Sequence, residues 1–260
     1  MIAILIIALA YSCNKQHNYS PSNFEDSVIV VKGHISDSIE IQQCQITFAN
    51  DIGDTSLLAC KNAEITVSSL SITNTFSHSA NGTYLSDSPF ALIPGSNYSI
   101  KITHNNKIRE ADSKMPYPIN IDSAYNLGNS HIHLVLHSPK EQYLYYELQI
   151  AHLDSLDADT VWQNVNSIDR NVIPIIEGEQ DVNLNAINYY GYSYIANYPM
   201  IKLQIQTLNA DVAKYLLYLH EFSSSASNLS ESKNPPAYFS NECYGLLYGS
   251  QKYEVIFKMD

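Results

Sequence analysis

The chain is poor in basic residues, with 14 Lys and Arg against 26 Asp and Glu and a formal net charge of −12. Nucleic-acid phosphates bind to basic surfaces, so this charge argues against a nucleic-acid partner. It also argues against an anionic membrane surface as the main docking partner. If the protein resides at a membrane, something other than surface charge must hold it there.

Cysteine is scarce as well: there are four residues, and none form a C-x-x-C pair. The sequence therefore shows neither a zinc knuckle nor a thioredoxin-type motif. Cys44 and Cys60 could pair across a modest loop in an oxidising compartment, or both could be buried thiols.

Motifs for cofactor binding and for nucleophilic catalysis are missing too. The chain has no P-loop and no dinucleotide-binding glycine pattern. The segment at 191–195 carries Gly191 and Ser193 but lacks the last glycine of the G-x-S-x-G pattern. We therefore expect no bound cofactor, and the sequence identifies no catalytic residue.

The apolar run at the N-terminus, residues 2–10, is too short to span a membrane, which requires roughly 20 apolar residues. Cys13 follows this run after Tyr11 and Ser12. A short apolar core, a small residue and a cysteine are typical of a bacterial lipoprotein signal. Residues 1–12 are thus predicted to be the signal peptide and Cys13 to carry lipid. A plain secretory signal and an accidental apolar start are the alternatives.

Residues 13–25 are polar and are predicted to tether the lipid to the first strand. Beyond them, short stretches of alternating apolar and polar residues are separated by turn-forming residues, which indicates β-strands. The predicted strands of the N-terminal half are residues 27–35, 41–48, 64–70, 98–102 and 107–111. Strands at this spacing favour an Ig-like or transthyretin-like β-sandwich over residues 26–116.

Pro116 and Pro118 interrupt this pattern because proline donates no backbone hydrogen bond, and they indicate a domain boundary. The second domain, residues 117–260, is predicted to be β-rich, with strands at 131–137, 143–152, 172–177, 200–207 and 251–259. One helix is predicted at 211–222, where apolar residues recur at helical spacing and Asn209 can cap the first turn. The predicted fold class is therefore mainly all-β.

Several short elements occur in the order found in one family of bacterial lipoproteins. They include V-V-x-G-x-I at 30–35, P-G-x-x-Y at 94–98, and the segments 62–67, 82–84, 116–123 and 234–249. With these elements and the N-terminal signal, the chain resembles the Bacteroidota outer-membrane lipoprotein family catalogued as domain of unknown function 4249. The resemblance implies a lipid-anchored protein of the cell outer membrane, often associated with TonB-dependent transporters. It implies no catalytic residues.

A tyrosine-rich segment is the best candidate for contact with a ligand or partner. The chain has 20 tyrosines, and this segment contains Tyr189, Tyr190, Tyr192, Tyr194 and Tyr198. Exposed tyrosine rings can stack on sugars or anchor a protein interface, so a glycan or a peptide is the expected ligand. Tyrosine is also common in ordinary strands, which is the alternative explanation.

His131 and His133 are weak candidates for a metal site. On a strand, alternate residues point the same way, so these imidazoles and that of His137 share one face. A metal would need a third ligand, such as His152 or an aspartate. The alternative is the polar face of a half-buried strand, and no bound metal is predicted.

Together these observations favour a non-catalytic cell-envelope lipoprotein that binds a ligand or partner beside a TonB-dependent outer-membrane transporter. Two alternatives stay open at this point. One is a lipid-anchored surface hydrolase acting on glycans or peptides, and the other is a structural or adhesive surface protein. Either the periplasmic or the outer face of the membrane is compatible with the sequence.

Overall fold

The structure is a computed structural model, and it describes residues 28–49, 58–126, 131–151, 163–165, 172–185, 200–224, 238–241 and 243–258. Within these ranges the chain is mostly β-strand, with one helix. The predicted all-β fold class is confirmed. No helix in the described ranges is both long and apolar enough to cross a membrane. The predicted signal peptide, the tether with Cys13 and the tyrosine-rich segment lie outside the described residues.

Eight strands precede the proline-containing linker. They are β1 (Ile29–Ile35), β2 (Gln43–Phe48), β3 (Leu58–Ala59), β4 (Glu64–Ser69), β5 (Thr73–Ala80), β6 (Thr83–Ser86), β7 (Asn97–His104) and β8 (Lys107–Lys114). The elements after the linker are β9 (Asn120–Asn126), β10 (His131–Ser138), β11 (Gln142–Ala151), β12 (Gln163–Val165), β13 (Val172–Ile175), β14 (Gly178–Asn185), β15 (Met200–Leu208), α1 (Ala210–Ser224), β16 (Cys243–Gly249) and β17 (Lys252–Lys258).

The N-terminal strands form one nine-stranded sheet in the order β16-β1-β2-β6-β5-β4-β7-β8, with β3 on β2. Alternation decides which side chains face inward: in β4, Ile65 and Val67 are buried between more exposed neighbours. Leu247 of β16 and Ala111 of β8 belong to the same core although their strands stand at opposite ends of the sheet. The sheet must therefore fold over on itself to enclose that core, as the halves of a β-sandwich do.

One strand of this sheet comes from the far end of the chain. β16 pairs in parallel with β1, from Ile29 opposite Cys243 to Ile35 opposite Gly249. The backbone amide of Gly249 also donates to the Tyr98 hydroxyl at 2.6 Å. No strand runs through residues 115–119, between β8 and β9. The domain boundary at 116/117 stays a prediction, to which the structure adds that a strand from beyond it completes the N-terminal sheet.

The remaining strands form two smaller sheets, β14-β10-β9 and β12-β11-β15-β17, with β13 paired to β11. They share a second core, to which β10 contributes Leu134 and β11 contributes Leu144 and Tyr146. Helix α1 packs Val212 and Ala213 into a third cluster together with Leu208, Tyr215 and Leu246 of β16. Because β16 belongs to the N-terminal sheet, α1 connects the two halves of the molecule.

Candidate functional site

On the predicted histidine face, the described side chain of His133 contacts a tyrosine of the neighbouring strand. Ile132 and Leu134 are buried while His133 between them is partly exposed. Its Nδ1 lies 2.8 Å from the hydroxyl oxygen of Tyr125 on β9, and the two rings are 5.2 Å apart. The side chain of His131 lies outside the described residues. In the part of the chain that is described, no three His, Cys, Asp or Glu side chains are grouped to hold a metal ion.

The three described cysteines are buried free thiols: Cys44, Cys60 and Cys243. Cys44 and Cys60, for which the sequence leaves a disulfide and two buried thiols open, are therefore two free thiols in the structure. Burial raises the pKa of Cys44 to about 12, and burial likewise raises the pKa of Cys243 to about 12. Since the thiolate is the reactive form, neither thiol is suited to nucleophilic chemistry.

A cleft of about 640 Å³, which we call the linker cleft, lies where the proline-containing linker meets the second half of the chain. This size is typical of a small-molecule site. The lining residues come from the linker, the β10–β11 turn, the end of β13 and the start of α1: Lys114, Met115, Pro116, Tyr117, Lys140, Glu141, Gln142, Tyr143, Pro174, Ile175, Ile176, Glu177, Asn209 and Ala210.

Side-chain amides hold two backbone segments of this cleft in place. The Tyr117 backbone amide donates to Gln142 Oε1, and Gln142 Nε2 donates to the Tyr117 carbonyl, each at 3.0 Å. Gln180 makes the same pair of bonds with the backbone of Ile176, at 3.2 Å and 3.0 Å. Each glutamine thus replaces a neighbouring strand, and the walls are preformed.

The aromatic ring of Tyr117 is also fixed in position. Lys114 Nζ lies 4.9 Å from the ring centroid, within the range of a cation–π contact. On Gly95, which has φ +76°, a Cβ would lie 2.5 Å from the Tyr117 Cε1 atom. Glycine is required there for both reasons. The ring is therefore a rigid part of the wall.

The charges of the linker cleft are largely neutralised within the protein. Lys140 Nζ lies 3.0 Å from Glu177 Oε2, and this hydrogen bond raises the pKa of Lys140. The first turn of α1 is capped, because Asn209 Oδ1 accepts from the backbone amides of Asp211 (3.1 Å) and Val212 (3.0 Å). The capping residue is the one the sequence predicts. Since these amides are already bonded, the helix start offers no open anion site.

A second, more open cleft of about 760 Å³ lies on the other side of Lys114, and we call it the serine cleft. Ser68, Ser99 and Asp112 stand opposite one another across β4, β7 and β8. Asp211 of α1 also lines this cleft. The two clefts therefore meet at Lys114 and at the first turn of α1.

The sequence did not reveal either cleft. Its best candidates, Tyr189, Tyr190, Tyr192, Tyr194 and Tyr198, lie outside the described residues and remain predictions, as does lipidation of Cys13. The lining residues come from separate segments with no common motif. Near the linker cleft, Pro116 indicates a domain boundary and Asn209 a helix start, and neither points to a cleft.

Comparison with known proteins identifies one family. The family model described as Domain of unknown function (DUF4249) matches residues 17–242. None of the curated proteins matches the chain.

The chain is also similar, at low identity, to several solved structures. A DUF4785 family protein from Legionella pneumophila has 8% identity and a TM-score of 0.27, covering 71% of this chain and 51% of that one. This chain thus spans about half the length of the Legionella protein. A cytokine receptor complex has 8% identity and a TM-score of 0.28, covering 89% and 96%. The native conformation of E. coli alpha-2-macroglobulin has 10% identity and a TM-score of 0.23, covering 75% and 14%.

Proposed function

The chain belongs to the family described as Domain of unknown function (DUF4249), and on this basis we propose that it is a non-catalytic, lipid-anchored protein of the Bacteroidota outer membrane. In this role it binds a ligand beside a TonB-dependent transporter. The apolar run before Cys13 supports the lipid anchor. Because the net charge of −12 does not draw the protein to an anionic membrane, the lipid has to hold it there.

The linker cleft is the observation that carries the binding role. Its walls are held by Gln142 and Gln180, and its Tyr117 ring is fixed, so little conformational freedom is lost when a ligand binds. The described lining contains no serine or cysteine beside a histidine. Its Glu177 carboxylate is paired with Lys140. A preformed cleft with this lining favours binding over hydrolysis, and a purely adhesive surface would not need such a cleft.

Labelling with a fatty acid tests the anchor. Expressed in a Bacteroidota host, the wild-type chain should take up labelled palmitate and fractionate with the outer membrane. Cys13→Ala should lose the label and leave the membrane fraction, because the acylated residue is gone. Cys60→Ala, which removes a buried thiol instead, should keep the label. An unlabelled, soluble wild-type protein would show that the anchor is wrong.

Cross-linking in the intact membrane tests the partner. After cross-linking and purification of the tagged wild-type chain, mass spectrometry should identify a TonB-dependent receptor. The Cys13→Ala chain is the control, since it should no longer be held beside the receptor. If the anchored wild-type protein yields no receptor, the accessory role is wrong even though the anchor stands.

A further inference from the structure

The linker cleft and the serine cleft are adjacent, and we call the two together the Lys114 groove after the residue that lines both. We propose that this groove binds an extended, uncharged oligosaccharide, with one part of the sugar chain in each cleft. The proposal rests on the binding role proposed above and names the chemical class of its ligand. Three properties of the described lining support it: its net charge, the bonded backbone groups of Tyr117 and Ile176, and the chemistry of its side chains.

The charge of the groove disfavours an anionic ligand. Its ionisable side chains are two ammonium groups, Lys114 and Lys140, and four carboxylates, Asp112, Glu141, Glu177 and Asp211. Two positive and four negative charges leave the lining at 2 − 4 = −2, in a chain that is itself at −12. A sulfated or phosphorylated polymer would be repelled.

The backbone of the groove disfavours a peptide bound as an added strand, because that mode needs free N–H and C=O groups along an edge. The backbone groups of Tyr117 and Ile176 are already bonded to Gln142 and Gln180. The outer edge of β8 is also occupied, because Ser240 bonds to both backbone groups of Glu110 at 2.9 Å. At these positions recognition must therefore rely on side chains.

The side chains that remain match the surface of a sugar. A pyranose ring has C–H faces, which stack on aromatic rings, and a rim of hydroxyls, which bond to carboxylates and to other hydroxyls. The linker cleft supplies the rings of Tyr117 and Tyr143. The serine cleft supplies the row of Ser68, Ser99 and Asp112. An aromatic end and a hydroxyl-rich end in one groove fit a chain of several sugar units.

Calorimetry on the full-length protein in detergent tests this proposal. The probes are neutral linear hexasaccharides of glucose, xylose and mannose, the corresponding disaccharides, and dextran sulfate. At least one hexasaccharide should bind about tenfold or more tightly than its disaccharide, since only the longer chain reaches both clefts. Dextran sulfate should not bind at the groove.

Variants assign the binding to the groove. Tyr117→Ala should weaken hexasaccharide binding by about tenfold or more, whereas Tyr117→Phe, which keeps the ring, should bind like the wild type. Tyr125→Ala is the matched control, because Tyr125 is an exposed tyrosine on β9, a strand that does not line the groove. Ser99→Trp should fill the serine cleft, weakening binding of the hexasaccharide but not that of the disaccharide.

Several outcomes would overturn the proposal. They are no binding by any neutral hexasaccharide at millimolar concentration, binding of dextran sulfate that Tyr117→Ala abolishes, and unchanged hexasaccharide affinity in both Tyr117→Ala and Ser99→Trp. Tyr117→Phe and Ser99→Trp preserve the packing around Gly95 and the linker. If Tyr117→Ala alone misfolds, the affinities of these two variants therefore still test the proposal. Failure here leaves the fatty-acid label and the cross-linked receptor unaffected, so the two proposals can fail separately.

Discussion

At the scale of single residues, two glycines with similar positive φ angles have different surroundings. Gly245 of β16 has φ +96°, and Gly178 at the start of β14 has φ +104°. A Cβ on Gly245 would lie 1.9 Å from the Val31 carbonyl oxygen of β1, whereas a Cβ on Gly178 would have no atom within 4 Å. Alanine substitutions at these two glycines therefore distinguish the free-energy cost of a positive φ from the cost of a Cβ clash with the neighbouring strand.

Gly245→Ala should lower the free energy of unfolding by about 3 kcal/mol or more, because backbone cannot move away from the new Cβ without breaking the β1–β16 pairing. Gly178→Ala should cost only about 1–2 kcal/mol, the conformational term alone. Urea denaturation of both variants measures the difference. Equal losses would show that the Val31 contact is relieved without disrupting the pairing.

A partly buried histidine makes stability depend on pH. Burial, followed by the positive charge of Lys252, lowers the pKa of His34 from 6.5 to about 4, against an opposing effect of Glu40. The unfolded chain therefore binds a proton at this residue before the folded chain does. The stabilisation is complete above pH 6.5 and is lost as pH falls toward 4.

His34→Asn should remove this dependence. Between pH 7 and pH 4 the wild type should lose about 1–2 kcal/mol more stability than the variant, a figure reduced for the partial exposure of the ring. Urea midpoints of both proteins are measured across this pH range. Because both proteins contain the same carboxylates, the titration of these groups cancels in the difference between the two curves. Parallel curves for the two proteins would contradict the assignment to His34.

At the scale of elements, the linker is positioned by a side chain in place of a strand. Gln142 is buried and bonds to both backbone groups of Tyr117, while Gln180 makes the equivalent bonds to Ile176 at the surface. If a buried side-chain partner is removed, the backbone groups that it bonded are left without a hydrogen bond. If an exposed side-chain partner is removed, water takes its place.

Gln142→Ala should therefore destabilise the protein by about 1–3 kcal/mol. Gln180→Ala should cost less than about 1 kcal/mol, which makes it the matched control. Chemical denaturation of both variants provides the test. A loss for Gln180→Ala as large as that for Gln142→Ala would show that burial is not what gives the linker contact its strength.

The sequence predicted the elements whose signal is local. The alternation at 64–70 gave β4 (Glu64–Ser69), and the helical spacing at 211–222 gave α1 (Ala210–Ser224). It missed β5, where Phe76 is the only large apolar residue among small and polar ones. It also missed β16, because its two glycines weaken the strand pattern and its partner β1 is remote in sequence.

At the scale of the whole molecule, the N-terminal sheet depends on the C-terminal segment. Cys243 and Leu247 of β16 and Phe239 before it are part of the N-terminal core. The linker cleft also combines remote segments, from Lys114 to Ala210. Such a site leaves no motif in the sequence, because only the tertiary fold brings its residues together.

Two truncations test this dependence. A chain that ends after Asn241 lacks β16 and β17, and the backbone amides of β1 and β2 should lose their protection from hydrogen exchange. A chain that ends after Gln251 lacks only β17 and should keep that protection. Mass spectrometry of exchanged peptides distinguishes the two. Equal protection of β1 in both chains would show that β16 is not needed for the N-terminal sheet.

The parallel pairing of β1 with β16 joins two strands that are synthesised at different times. The two strands begin at Ile29 and Cys243, so 243 − 29 = 214 positions separate the first residues that pair. A ribosome produces β1 well before β16, and contacts so distant in sequence form slowly. The N-terminal sheet therefore stays incomplete, with one edge of β1 unpaired, until β16 has been made.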